Sequence, residues 1–326
     1  MKKFLRKILI FGIIFCCAIP VFFLFGFLVV GNQYQETHLA SIIDKVARLK
    51  SINEPKIILL GNSNLLFGID SPMIESAVNM PVVNFAVGAM RYGFLENTAK
   101  LNINSGDIII ASYSSFFDDD KVDPAMEWPI IEYHFDLWKG IDEKDYFKMF
   151  LYYPGYWARS FAMWLTRQGN NNKGGELVGD NLYLRRAFNE MGEITVRPES
   201  NRKTPEEIFH PGSTNVPKIN DICINRLNKY NAYLKSKGAT LLIAAYPIGY
   251  GKFTPPAEEF DKFQHELESR LDCEVISNYR DYFIPYKYFY DTNLHLDNEG
   301  AKIRTQQLIK DIQRWQAKRQ NKTGNL

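Results

Sequence analysis

Two segments near opposite ends of the chain carry side chains suited to nucleophilic catalysis. Asp291 and His295 lie four residues apart in "YFYDTNLHLDNEGAKIRT". A histidine titrates near neutral pH, and a neighbouring carboxylate can hold its ring in one tautomer, as a general base requires. Ser63 lies in "IILLGNSNLLFGIDS", just after an aliphatic run that stops at Gly61. A serine within reach of such a histidine is a candidate nucleophile.

The turn around Ser63 also has a simpler interpretation. An Asn-Ser turn after a strand caps the next helix through its side-chain oxygens, without any chemistry. The partners near the C-terminus make catalysis the sharper hypothesis, because the chain order Ser, Asp, His is compatible with a triad on a parallel sheet.

Apolar runs that alternate with helical patterns predict the fold that positions these residues. Strands are predicted at residues 56–60, 82–87, 107–112 and 239–247, with a further short run at 273–277. Helices are predicted at residues 72–78, 92–103, 216–238, 255–271 and 297–318. The runs lack period-two alternation, which predicts an α/β fold, a flavodoxin-like three-layer sandwich with a central, mostly parallel sheet. Ligands of such folds bind beyond the carboxyl ends of the strands, where Ser63 lies.

The N-terminal residues predict a membrane anchor. Residues 8–30 are 23 residues without a charge, about 34 Å as a helix and enough to span a bilayer. The run exceeds the apolar core of a cleaved signal peptide, about 7 to 15 residues. Four cations lie before it and none directly after it, so residues 1–7 are expected in the cytoplasm and residues 31–326 outside, in the periplasm or at the cell surface.

Charge and cysteine content exclude several classes of function. Residues 31–326 hold 35 basic and 37 acidic residues, a formal net charge of −2, which is untypical of a nucleic-acid-binding protein. Cys223 and Cys273 lie outside the anchor, and the sequence leaves both a disulfide and two free thiols open. No His/Cys cluster predicts zinc, and the acidic run at 118–120 lacks the glycine and spacing of a calcium loop. No metal or cofactor is expected.

The motifs resemble those of the SGNH or GDSL hydrolase superfamily. The turn Gly61, Asn62, Ser63 is similar to the family's Gly-Asp-Ser block, which follows the first strand. "VVNFAVGAM" is similar to the second block, in which Asn84 matches an asparagine and Gly88 matches the oxyanion glycine four residues later.

The family's closing block, an Asp and a His before the C-terminal helix, resembles Asp291 and His295. The resemblance covers roughly residues 55–113 and 217–313. It implies that Ser63 attacks an ester carbonyl, that His295 takes the serine proton, and that Asp291 holds the imidazole. It also implies that the backbone N–H groups of the serine and of the oxyanion glycine bind the oxyanion.

The resemblance implies that Gly88, Asn84 and Asn62 lie where the oxyanion and the substrate bind. Three departures from the family pattern accompany it. Asn62 replaces the usual Asp and is expected to brace the turn. Asp291 precedes the histidine by four residues, whereas the family has three, so Thr292 occupies the place of the acid. The family's Asn donor after the third strand is missing, which leaves Ser112 and Ser114 as alternatives.

Residues 115–216 interrupt the pattern as an aromatic-rich insertion, where substrate choice is expected to reside. Its aromatic side chains have three possible roles in the sequence: they could stack on a glycan, contact the membrane or fill a small helical core. By the resemblance, the protein is expected to be a membrane-anchored serine esterase or O-acyltransferase of cell-envelope polysaccharide. Its substrate is then an acylated glycan or small acyl ester, and a multispanning acyltransferase is a candidate partner. The alternative hypothesis is a catalytically degenerate glycan-binding or assembly protein, and a third hypothesis is a lipid esterase.

Overall fold

Five parallel strands form the central sheet. The structure is a computed structural model that describes residues 1–117, 121–166, 177 and 182–323. The strands of the sheet are β1 (Ile57–Gly61), β2 (Val82–Asn84), β3 (Ile108–Ser112), β4 (Thr240–Ile243) and β6 (Glu274–Val275), and they lie in the order β2-β1-β3-β4-β6. A separate parallel pair joins β5 (Ile248–Tyr250) to β7 (Phe283–Pro285). The predicted α/β class with a parallel sheet is confirmed.

The sheet is covered on both faces, as a three-layer arrangement requires. Ile58 and Leu60 of β1 pack into one apolar core, while Ile57 and Leu59 pack into the other. Because both faces of the strand are buried, every residue is apolar and the period-two alternation of an exposed sheet is lost. This is why the strands could be recognised as uninterrupted apolar runs.

The helices divide between the two faces. The helices in chain order are α1 (Lys2–Phe25), α2 (Ser41–Ser51), α3 (Ser63–Gly68), α4 (Ser71–Val78), α5 (Tyr92–Ala99), α6 (Pro124–Ile131), α7 (Tyr146–Thr166), α8 (Pro205–Ile208), α9 (Asp221–Ser236), α10 (Ala257–Arg270) and α11 (Asn298–Thr323). The core that contains Ile58 also includes side chains of α2, α5, α9 and α10, whereas α3, α4 and α11 contribute to the core that contains Ile57.

The predicted helix ends agree with local chemistry. Helix α9 stops before Gly238, which adopts a positive φ of 74° that suits a glycine after a helix. Helix α11 begins after Asp297, whose Oδ1 accepts a hydrogen bond from Gly300 N–H at 2.8 Å. This second cap fixes where the loop that carries His295 ends.

The transmembrane helix predicted over residues 8–30 is not supported by the structure. Within the ranges that the structure describes, no helix combines the length and the apolar character needed to cross a bilayer. Residues 2–25 form α1, and a π-helical turn, Gly26–Val30, follows it.

The insertion forms α6, α7, α8 and several short 3₁₀ turns between β3 and α9. The acidic run at 118–120 lies outside the described residues. Cys223 and Cys273 are both free thiols, so the disulfide that the sequence left open is not formed.

Candidate active site

Ser63 lies at the point where the order of the strands reverses. Strand β1 pairs with β2 on one side and β3 on the other, and the last pair of the β1–β3 register joins Gly61 to Ser112. In open α/β sheets the carboxyl ends at such a reversal are the usual ligand site. Half-buried Ser63 begins α3 two residues after Gly61. A Cβ on Gly61 would lie 2.8 Å from the Ser112 carbonyl oxygen, so glycine allows the turn to pass close to β3.

Asn62 braces this turn. Its Oδ1 accepts hydrogen bonds from Asn64 N–H at 3.2 Å and from Asn64 Nδ2 at 2.7 Å. Its Nδ2 donates to Tyr92 Oη at 2.9 Å and to Ser114 Oγ at 2.8 Å. All these contacts are internal, which fits the bracing role expected from the sequence, and the predicted contact of Asn62 with substrate stays a prediction.

Arg304 on α11 holds the same turn through hydrogen bonds. Its guanidinium donates to the Asn64 carbonyl oxygen at 2.6 Å, to Asn64 Oδ1 at 2.9 Å and to Ser112 Oγ at 2.8 Å. Burial lowers the pKa of Arg304 to about 10, so the side chain stays charged at neutral pH. Arg304 could not be recognised as a site residue from the sequence, because it has the appearance of a surface residue within the α11 pattern.

Asp291 and His295 form a close pair. Asp291 Oδ1 lies 2.7 Å from His295 Nδ1, and the hydroxyl of Tyr183 donates to Asp291 Oδ2 at 2.7 Å. Burial alone raises the pKa of Asp291, but the hydrogen bonds from His295 and Tyr183 outweigh it and leave the pKa below its ordinary value. The carboxylate is therefore ionised at neutral pH. Thr292 instead caps the turn, because its Oγ1 accepts from the backbone N–H groups of residues 294 and 295.

Phe67 connects the histidine to the helix that carries Ser63. The rings of Phe67 and His295 are stacked, with centroids 4.1 Å apart and planes within 8° of each other. Residues four apart on a helix share a face, about 5–6 Å apart at Cβ, so Ser63 lies one turn from the contact between these rings. In the described part of the chain no hydrogen bond joins Ser63 Oγ to His295.

Gly88 lies beside the same turn. The chain continues past β2 along β1, and Val87 N–H donates to the Gly61 carbonyl oxygen at 3.3 Å. Gly88 is buried, and the next residue, Ala89, adopts a positive φ of 58°, a strained value for a residue with a Cβ. Among the described residues, neither Ser63 N–H nor Gly88 N–H donates a hydrogen bond, so both remain available to an oxyanion.

His38 is a further neighbour of Gly88 that the sequence analysis missed. A Cβ placed on Gly88 would lie 3.7 Å from His38 Cδ2. Burial lowers the pKa of His38, although a hydrogen bond with the Gly88 backbone opposes this shift. The imidazole is therefore neutral at pH 7. The ring of His38 also meets that of Tyr183 edge-on, with centroids 6.4 Å apart.

The side chain of Asn84, for which an oxyanion or substrate-binding role is predicted, has no exposed surface, and that role stays a prediction. Its Nδ2 donates to the Leu65 carbonyl oxygen at 3.0 Å and to Glu193 Oε2 at 3.4 Å. Its Oδ1 accepts from Ala86 N–H at 3.3 Å. The hydrogen bonds of the Asn84 amide therefore join β2 to α3.

The two serines proposed for the missing third donor differ in position. Ser112 Oγ is buried and donates to the Ala245 carbonyl oxygen at 3.0 Å, so it does not face a ligand. Ser114 Oγ is half-buried and accepts from Asn62, which leaves its O–H able to donate. Ser114 is therefore the better placed of the two.

An open groove of about 420 Å³ borders the turn and the Gly88 loop. Its wall includes Asn62 and Ala89, and the far side is formed by Met126 and Glu127 of α6. A larger cavity, about 650 Å³, opens at the start of β4 and near Asp272, away from these groups. Among the described residues no cluster of three or more His, Cys, Asp or Glu side chains is arranged to hold a metal ion.

No protein-family model, curated protein or solved structure matches the chain. The arrangement itself is that of a buried acid–histidine pair near a serine, with two available N–H groups beside it. Those groups are what acyl transfer through a serine requires.

Proposed function

We propose that the protein is a serine esterase or O-acyltransferase of the SGNH type. The observation that carries the proposal is the pairing of Asp291 with His295, whose ring stacks on Phe67 one turn after Ser63. A carboxylate that orients a histidine near a serine is the arrangement of a serine nucleophile and its base.

In the proposed mechanism Ser63 Oγ attacks the acyl carbonyl carbon and His295 Nε2 takes the hydroxyl proton. Asp291 holds Nδ1–H and stabilises the imidazolium. The oxyanion accepts hydrogen bonds from the N–H groups of Ser63 and Gly88, each worth roughly 10²-fold in rate by comparison with other enzymes. His295 then returns its proton to the leaving alcohol. In the second half, water or an acceptor hydroxyl gives its proton to His295 and attacks the acyl-enzyme. His295 then returns that proton to Ser63 Oγ as the bond between Oγ and the acyl carbon breaks, which releases the acid or the new ester.

The proposed substrate is an O-acylated polysaccharide of the cell envelope. The groove beside Asn62 and Ala89 is open, as a polymer chain would require, and Arg91 and Lys121 add polar surface to its walls. The proposed location is the membrane, with the N-terminus in the cytoplasm and the domain outside. Its support is the uncharged run at 8–30 with cations only before it. A multispanning acyltransferase remains a candidate partner.

A glycan-binding protein without catalysis is the second candidate. The observation that favours it is that His295 is only 5% exposed and shares no hydrogen bond with Ser63 Oγ in the described residues. In that case the groove would hold the polymer, and the serine would remain unactivated.

The test compares the full chain in detergent with its Ser63→Ala and His295→Ala variants. The readouts are turnover of p-nitrophenyl acetate and labelling by a fluorophosphonate, with Ser236→Ala on α9 as the matched control. We expect wild type and the control to react, and both active-site variants to lose turnover and labelling. Folded wild type that reacts no better than Ser63→Ala would refute the enzyme and favour the binding protein.

A further inference from the structure

Helix α7 exposes an apolar stripe along its whole length. Phe147, Phe150, Leu151 and Leu165 are 73%, 60%, 67% and 61% exposed. These positions fall on one face of a helix of 3.6 residues per turn. The opposite face is buried, and its buried residues are Met149, Tyr156, Trp157 and Ser160.

The stripe contains no charged residue. Pro154, Ala158 and Ala162 occupy the exposed positions between its larger members, and they are small and apolar. Lys148 and Arg159 lie to one side of the stripe. A helix on a water-exposed surface normally has the reverse pattern, with charges outward and apolar residues inward. An apolar surface of this kind marks a binding face.

Helix α1 packs against α7 beside the stripe, through aromatic residues of α7. Trp157 of α7 contacts Phe22, with ring centroids 4.0 Å apart, and Trp164 meets Phe25 edge-on at 6.1 Å. The approach is close at Gly26, where a Cβ would lie 2.1 Å from Trp157 Nε1. Helix α7 therefore lies against the C-terminal end of α1.

After its basic first turns, α1 exposes apolar residues on every side from Ile8 to Ile14. Its exposed residues include consecutive positions that point around the whole helix, which are Ile8, Leu9, Ile10, Phe11, Ile13 and Ile14. A helix that is hydrophobic all round belongs in lipid or in a large core. A single protein partner could cover only one side of such a helix, whereas lipid can cover its whole circumference. Basic residues at the start of α1 and tryptophans at its junction with α7 are residue types that are enriched where lipid meets water.

We infer that α7 lies in the interface of a lipid bilayer, with its apolar stripe among the upper acyl chains and beside α1. This inference goes beyond the proposed activity and adds a second membrane contact to the proposed N-terminal attachment. It also places the groove near the lipid surface. Helix α6, which lines the groove, packs on α7, and Trp128 Nε1 donates to the Met149 carbonyl oxygen at 2.9 Å. Substrates close to the membrane are therefore the ones within reach.

The test uses the full chain in phosphatidylcholine–phosphatidylglycerol liposomes, with the native cysteines replaced and one environment-sensitive fluorophore attached. Labels at Leu151→Cys and Leu165→Cys report the stripe, Glu268→Cys on exposed α10 is the matched control, and Ile14→Cys reports α1. Two quenchers are compared, a lipid that carries a spin label near its headgroup and aqueous iodide. We expect the stripe labels to lose most of their fluorescence to the lipid quencher and little to iodide, and the α10 label to behave in the opposite way.

Stripe labels that iodide quenches and the lipid does not would overturn the inference. If those labels are shielded from iodide only in native membranes, the face is covered by a partner protein, which also overturns it. The α1 label separates this failure from failure of the anchor, because a lipid-quenched α1 label with iodide-quenched stripe labels leaves the anchor intact. The esterase assay is independent of all these outcomes.

Discussion

Replacing Asp291 by Asn tests the proposed acid most directly. The carboxylate lies 2.7 Å from His295 Nδ1, so the histidine that becomes positive in the transition state faces a fixed negative charge. Opposite unit charges about 4 Å apart interact by about 4 kcal/mol at an effective dielectric constant of 20. At 1.36 kcal/mol per tenfold in rate, losing this interaction lowers kcat by about 10³-fold. Comparable substitutions in serine proteases lower kcat by about 10⁴-fold.

The assay is p-nitrophenyl acetate turnover by the full chain, with folding followed by circular dichroism. Thr292→Ala is the matched control, because Thr292 occupies the acid's place in the family spacing but only caps the turn at 3.2–3.3 Å. Tyr183→Phe removes one donor to the same carboxylate, and a hydrogen bond to a charged group is worth about 1.5–3 kcal/mol. We expect Asp291→Asn to lose most activity, Tyr183→Phe to be intermediate, and Thr292→Ala to be close to wild type. A folded Asp291→Asn enzyme within tenfold of wild type, or a more impaired Thr292→Ala, would refute the assignment.

Two further predictions concern the groups that hold the site. Arg304→Met leaves buried acceptors on Asn64 and Ser112 without a donor, and each unpaired acceptor costs about 1–3 kcal/mol. The free energy of unfolding measured in urea should therefore fall by about 3 kcal/mol. An unchanged unfolding midpoint would contradict this. Burial lowers the pKa of Lys45 to about 7, below its unfolded value, so the unfolded chain binds more protons above pH 7. Wild-type stability should therefore rise relative to Lys45→Met between pH 7 and pH 9, by up to about 2–3 kcal/mol. Urea unfolding of both proteins at the two pH values measures this, and a pH-independent difference would show that the lysine titrates normally.

Much of the framework was predictable because it depends on local pattern. The aliphatic run before Gly61 became β1, and the run ending at Ser112 became β3, since strands buried on both faces are continuously apolar. Strand β2 is shorter than predicted. Its last predicted residues, 85–87, leave the strand but remain bonded to β1 through Phe85 N–H at 2.9 Å.

The pair Asp291 and His295 was also predictable, because both residues lie in one short segment and their spacing is visible in the sequence. What could not be predicted is which other residues support that pair. Tyr183 follows a polar stretch that has the composition of an exposed loop, and its bond to Asp291 joins positions 108 residues apart. Arg304 reaches Asn64 across 240 residues. Contacts of this range depend on the packing of whole elements and leave no local signal.

Asn84 shows what a motif match leaves open. Its place before Gly88 matched a family pattern, and the pattern assigned it to the oxyanion side. The structure buries it completely, since the residue lies in β2 and its side chain points between β2 and α3. A motif match gives the order of residues along the chain, but the face of the sheet on which each side chain lies depends on register.

The insertion participates in the site rather than only bordering it. Lys45 of α2 donates to the Asn84 carbonyl oxygen at 3.0 Å, to the Ala86 carbonyl oxygen at 2.6 Å and to the Gly192 carbonyl oxygen. Gly192 belongs to the insertion, as does Tyr183, which holds Asp291. The segment 182–194 therefore supports both the acid and the strand that leads into the Gly88 loop. Deleting it would dismantle the candidate site, so the proposed role of the insertion in substrate choice has to be tested with single side-chain changes along the groove.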